Sequence, residues 1–220
     1  FAREGDLTFE GKEYQIPYRG AGATGLGKPL KSILHVEKPI PVYAATITPA
    51  GVEAAAEVAD GFFPVWMDPD QYKVFAGPIE AGFKKAGNKS LKDFDIAPFV
   101  SVVVGDDVQE CMKPLRAHMA LYIGGMGARG KNFYNDYATR LGHGDAARKI
   151  QDLYLSGKKD EAAACVPDAL IDACHLVGPK ERIKERAQRW IAAGKRGEVG
   201  SMLISGGQAK AVEAMAEIML

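Results

Sequence analysis

The most suggestive spacing in the chain is Gly125, Gly130 and Lys131, within the run GGMGARGKN over 124–132. A glycine, four residues, a second glycine and a lysine is the pattern of a loop whose backbone N–H groups cradle nucleoside phosphates. That chemistry has three further needs: a buried strand before the loop, a helix after it, and Ser or Thr beside the lysine to hold magnesium. Here Asn132 occupies the Ser/Thr position, and the preceding DDVQECMKPLRAHMALYI carries its apolar residues at helical spacing. Two of the needs are unmet. We therefore expect a helix end and turn, with Gly124 and Gly125 supplying left-handed backbone and KNFYNDYATRLG restarting a helix.

The other chemistry-bearing residues are scattered. His35, His118, His143 and His175 form no HExxH or related ligand spacing, so no metal site is expected, although His118 lies where a helix could turn it toward a pocket. Cys111, Cys165 and Cys174 make no CxxC pair and read as reduced thiols of a cytoplasmic protein. No GxSxG elbow occurs, and GATGLG is followed by KPL rather than by a helix start. Two turns have the form of an anion site, AATITPAG at 44–51 and SGGQAK at 205–210. In each, an apolar run ends where a helix begins, so free N–H groups and the helix dipole converge. Both are equally readable as ordinary strand-to-helix turns.

These residues need a scaffold, and composition describes one. Of 220 residues, 47% are hydrophobic, which is enough for a packed core. The 28 basic side chains balance 28 acidic ones, which gives no electrostatic reason to expect nucleic acid or an anionic membrane as partner. No apolar run is long enough to span a bilayer as a helix. The chain opens at Phe1 on FAREGDLTFEGKEY, which reads as the continuation of something already under way; a fragment or processed product is expected.

LTFEGKEYQI turns at Gly11–Lys12 as a hairpin, and the glycine-rich stretch 19–30 reads as an extended loop. Strands are predicted at 40–45, 61–65, 94–104 and 199–205. Helices are predicted over 48–60 (N-cap Thr48, Pro49 in the first turn), 68–87, 106–123 with a break or kink at Pro114, and 208–220. A mostly helical section fills 124–193. Alternating strands and helices with nearly continuous apolar strands argue for an α/β fold built on a parallel sheet. Four such strands are half of a (β/α)8 TIM barrel and would leave two long edges unpaired.

GLGKPLK, IPVYAATITPAGVEAAAEVADGFFPVWMDP, ALYIGGMGARGKNFYNDYATRLG, KKDEAAACVPDALIDACHLVGP and AAGKRGEVGSMLISGG together resemble the luciferase-like monooxygenase superfamily. More narrowly they resemble its deazaflavin branch, the oxidoreductases that use coenzyme F420. The resemblance covers essentially the whole chain. It implies a (β/α)8 barrel of which residues 1–220 are the C-terminal portion, holding strands five to eight and a helical insertion at about 124–193. It implies an enzyme that uses coenzyme F420, or FMN in the alternative, for hydride transfer to or from a small organic substrate; the other alternative is a non-catalytic half-barrel. A cytoplasmic homodimer is implied. The turn Ala45, Thr46, Ile47 and Thr48 would lie on the coenzyme's phosphate and ribityl side, and Val65 and Trp66 beside the coenzyme or substrate. Gly124, Gly125 and Met126 would shape a roof, with Arg129 and Lys131 near an anionic tail. The resemblance assigns the groups flanking the reactive ring to the early strands, so it names no catalytic acid or base here, and this chain alone is expected to bind coenzyme poorly.

Overall fold

A computed structural model of the protein describes residues 5–31, 33–34, 36–205 and 207–219, in two units, Phe1–Pro41 and Val42–Leu220. In the first unit β1 (Phe9–Glu10) pairs antiparallel with β2 (Gln15–Ile16), and the Gly11 N–H donates to the Tyr14 carbonyl at 2.8 Å. The hairpin expected at Gly11–Lys12 is present. His35 lies outside the described residues.

The second unit carries β3 (Tyr43–Ala44), β4 (Gly61–Phe62), β5 (Asp95–Ile96), β6 (Phe99–Val104), β7 (Leu176–Gly178) and β8 (Leu203–Ser205), and every pairing among them is parallel. Between them run α1 (Pro49–Val58), α2 (Lys73–Ala86), α3 (Val108–Ala120), α4 (Phe133–Ala138), α5 (Gly144–Leu155), α6 (Lys159–Ala164), α7 (Asp168–Cys174), α8 (Lys180–Lys195) and α9 (Ala209–Met219). Thr48 caps α1 as its sequence suggested, its Oγ1 accepting from the Gly51 N–H at 3.1 Å. Small residues let α1 and α2 approach closely: a Cβ on Gly82 would sit 2.6 Å from the Ala56 Cβ. Helix α2 begins at Lys73 rather than 68, because Asp68 is occupied in a turn, its Oδ1 accepting from the Asp70 N–H. Helix α3 continues through Pro114 without a break.

The strands form two three-stranded sheets, β3-β4-β5 and β7-β6-β8, joined by a parallel bridge between Val65 and Phe99, with two unlike faces. Phe62, Ile96, Val100 and Val102 are buried, and Phe62 meets Phe75 of α2 edge-on at 5.4 Å. The opposite face carries Tyr43 stacked on Phe63 at 4.8 Å and Phe99 edge-on to Phe63 at 5.7 Å. Phe99 stays 40% exposed.

Strand β7 was not expected; it interrupts the helical section predicted over 124–193. Its place follows from hydrogen-bond parity along β6, where alternate N–H groups face opposite edges. On one edge the Phe99 N–H reaches the Pro64 carbonyl, and beyond this the β4 segment turns away. The next N–H on that edge, Ser101, donates to His175 Nδ1 at 3.2 Å, and Gly105 donates to the Gly178 carbonyl. His175 and β7 thus continue the edge that β4 leaves, so no buried donor is orphaned.

Candidate active site

The turn out of β4 depends on Trp66, which has φ +49° although it is not glycine. Left-handed backbone at such a residue costs about 1–3 kcal/mol and persists only when its surroundings fix it. They do so through its carbonyl, which accepts from the Tyr137 hydroxyl at 3.1 Å and from Cys174 Sγ at 3.0 Å. Burial pushes the phenol and the thiol well above their ordinary pKa values, so both keep the proton they donate. Two residues on, Asp68 accepts from Arg189 Nη2 of α8 at 2.6 Å. The indole is 3% exposed.

That indole forms one wall of a cavity of about 310 Å³. Tyr122 and Tyr134 stand around it, their ring centroids 5.9 and 5.6 Å from that of Trp66. Val65 and Phe99 complete the apolar lining. The polar end holds Ser101, His118, His175 and Ser205. Ser101 Oγ and Ser205 Oγ lie 3.1 Å apart. None of the described lining residues is Lys, Arg, Asp or Glu.

The two tyrosines are placed by the run that imitated a phosphate loop. His118 and Tyr122 lie four residues apart on α3 and its continuation, a π-helical stretch Leu121–Gly125, and so share one face, ring centroids 4.6 Å apart. Asn132, 1% exposed, then joins the two helices. Its Oδ1 accepts from the Tyr134 and Asn135 N–H groups, capping α4. Its Nδ2 donates to the Tyr122 and Ile123 carbonyls at 3.0 and 2.9 Å. Asn132 thus satisfies the end of one helix and the start of the next, which fixes Tyr134 beside Tyr122. The loop leaves a helix, as its sequence indicated. The role expected for Gly124 and Gly125 is corrected: neither has positive φ, and the left-handed glycine of the run is Gly130 at +72°. They are small because α5 crosses there; a Cβ on Gly124 would stand 2.5 Å from the Tyr154 Cβ.

Val65 and Trp66 are brought together in the cavity wall. Ala45, Thr46, Ile47 and Thr48 form the entry to α1 and are not among its described lining residues; the Ile47 carbonyl accepts from Arg140 Nη2 at 2.6 Å. Met126 is exposed, Arg129 pairs with Asp152 at 2.9 Å, and Lys131 is exposed. In the 205–210 turn Ser205 faces the cavity, Gly206 lies outside the described residues, and Gln208 Oε1 accepts from the Val104 N–H. His118 does face the pocket, and burial lowers its pKa. Among the described residues no group of histidines, cysteines and carboxylates could hold a metal, and no helix is long and apolar enough to cross a membrane.

His175 is the site residue that reading by pattern missed. It is 4% exposed and its pKa is lowered to about 4, by burial first and His118 second. HLVGP was the available signal: a short apolar run closed by Gly178, which has φ +109°.

Parallel strands, covering helices and a cavity lined from the turn after β4, the first half of β6 and the end of β8 define an enzyme-like α/β scaffold. The chain belongs to the luciferase-like monooxygenase family, whose model matches residues 1–196. A Mycobacterium tuberculosis protein provisionally named as a coenzyme F420-dependent oxidoreductase is 35% identical over 220 residues, 99% of this chain and 62% of that protein. In fold, the chain is similar to the coenzyme F420-dependent tetrahydromethanopterin reductase of Methanopyrus kandleri, with TM-score 0.61, 22% identity, and coverage of 81% of this chain and 49% of that one. It is also similar to an F420-dependent secondary alcohol dehydrogenase, with TM-score 0.58, 16% identity, and coverage of 96% and 53%. The chain thus spans about half to two thirds of the length of these proteins. Their folds place its strands among those of luciferase-like TIM barrels.

Proposed function

We propose that the protein is an oxidoreductase that uses coenzyme F420 to move hydride to or from a small organic substrate. The observation that carries this reading is the cavity: aromatic, and without Lys, Arg, Asp or Glu among its described lining residues, it suits a planar uncharged ring and the substrate laid against it. The name of the Mycobacterium tuberculosis relative supports deazaflavin over flavin. When bound, the coenzyme supplies the hydride chemistry, and the protein supplies position and electrostatics. Trp66 and Val65 would flank the ring, and the N–H groups at Ala45–Thr48 would serve the phosphate and ribityl side. A cationic residue at the tail has less support, since Arg129 is already paired with Asp152.

We place the chain as the later portion of a (β/α)8 barrel, with the largely helical section at about 124–193 interrupted by β7; with β7 the parallel strands exceed the four expected as strands five to eight. The half-open face bearing Tyr43, Phe63 and Phe99 supports this, as the inner wall of a barrel. A homodimer in the cytoplasm is part of the same reading, in keeping with three cysteines that form no disulfide.

FMN with oxygen is the second reading, favoured by the family's monooxygenase name. Turnover separates the two. The protein as its gene encodes it, mixed with F420 and a panel of neutral alcohols, should bleach deazaflavin fluorescence. Oxygen consumption with reduced FMN, and no bleaching, would favour the second reading.

A further inference from the structure

We propose that Ser101, His175 and Ser205 form a binding site for the oxygen of an uncharged ligand, a ketone or secondary alcohol, at the polar end of the aromatic cavity. The proposal deepens the reading above by assigning the substrate class and the residues that recognise it.

The protonation state of His175 follows from geometry. Its Nδ1 accepts from the Ser101 backbone N–H at 3.2 Å, so Nδ1 carries no proton and the imidazole is neutral, with its hydrogen on Nε2. Nε2 has no hydrogen-bond partner among the described residues. Among the described residues the buried side-chain atoms without a partner are Asp172 Oδ1 and Arg186 Nε, and Nε2 is not one of them. The ring lines the cavity, and Nε2–H is the donor it has left to offer. Protonating Nδ1 would break the bond to Ser101, and burial opposes the charge.

The two serines add a second donor. Their hydroxyls are 3.1 Å apart, so one donates to the other and the second hydrogen stays free. Two donors suit an oxygen with two lone pairs. They would suit a carboxylate or phosphate as well, and the rest of the lining decides against those. Trp66, Tyr122, Tyr134, Phe99 and Val65 make the rest of the lining aromatic or aliphatic, and no cationic side chain is among the described lining residues. A buried anion without a counter-charge pays a desolvation penalty that two neutral donors do not offset.

The test compares two ligands of one shape and different charge, cyclohexanone and cyclohexanecarboxylate. Each is titrated into the full encoded protein at pH 7 and followed by the 15N and 1H resonances of the histidine side chains. The expected result is that cyclohexanone binds and shifts the His175 Nε2–H signal, while the carboxylate binds at least about tenfold more weakly, a difference of about 1.4 kcal/mol. Ser205→Ala, a mild change that preserves the backbone, should weaken the ketone about three- to tenfold. His175→Asn keeps an acceptor for the Ser101 N–H but withdraws the Nε2–H donor, and should weaken the ketone about three- to tenfold while the carboxylate stays the weaker ligand. Carboxylate binding as tight as the ketone's, an unchanged affinity in Ser205→Ala, or no ketone binding would each overturn the proposal. Coenzyme is absent throughout, so the outcome stands apart from that of the F420 reading: ketone binding without F420 binding would sink the coenzyme and keep this site.

Discussion

Removing both donors from the Trp66 carbonyl should cost more than removing each in turn. Tyr137→Phe deletes one hydroxyl and leaves Cys174 Sγ on the carbonyl, for about 1 kcal/mol. Cys174→Ala deletes a weaker donor and one buried sulfur, again about 1 kcal/mol. In the double variant the carbonyl is buried with no partner, which carries its own penalty of about 1–3 kcal/mol. The left-handed strain at Trp66, of similar size, then has nothing opposing its release. The double variant should therefore lose about 1–2 kcal/mol more than the two singles combined. Urea unfolding of the four proteins at pH 7, with tryptophan emission as probe, measures the cycle. The emission of the folded double variant should also change, because Trp66 and its cavity rearrange. Additivity within about 0.5 kcal/mol, with unchanged emission, would refute the idea that these two residues act together as a latch.

Two further outcomes are expected. His175 is held neutral, with its pKa lowered from 6.5 to about 4; below pH 6.5 the unfolded chain takes up a proton that the fold refuses. Stability should thus fall as pH drops from 6.5 toward 4, by on the order of 3 kcal/mol from this group. His175→Asn should flatten that limb relative to the parent, with His118 and His143 still contributing, and equal acid slopes in urea titrations would contradict this. Asn132→Ala removes a cap and the side-chain donor of the Tyr122 carbonyl, while the Ile123 carbonyl keeps Asn135 Nδ2, an expected loss of about 2 kcal/mol, whereas Lys131→Ala beside it should change stability by less than about 0.5 kcal/mol. A comparable loss in both would mean that the run is a rigid loop rather than a joint made by one residue.

The parts of this fold that could be read from the sequence are those set by local physics. Thr48–Pro49 announced α1, the Gly11 turn announced the hairpin, and the apolar runs at 61–65 and 94–104 announced the strands of the core. Asn132 at the magnesium position, together with the helical spacing before the loop, told against a phosphate loop. What stayed hidden was set by distant partners. His175 owes its role to a Ser101 N–H some seventy residues earlier in the chain, left open where β4 turns away. No period of 2 or 3.6 announces a three-residue strand that finishes another strand's edge. Gly124 and Gly125 looked like turn glycines because the crossing Tyr154 lies a helix away. Of the site, Val65 and Trp66 came through the family resemblance. The tyrosine walls and the serine pair depend on how α3, α4, β6 and β8 converge, which spacing along one chain does not encode.

Whether the protein is a deazaflavin enzyme is decided by a fluorescence titration of coenzyme F420, with FMN in parallel, against the protein as its gene encodes it. Saturable binding of the deazaflavin, weakened by Trp66→Ala, is expected, with little or no binding of FMN. Tighter binding of FMN than of F420 would contradict it and make the protein an oxygen-using flavin enzyme of the same family.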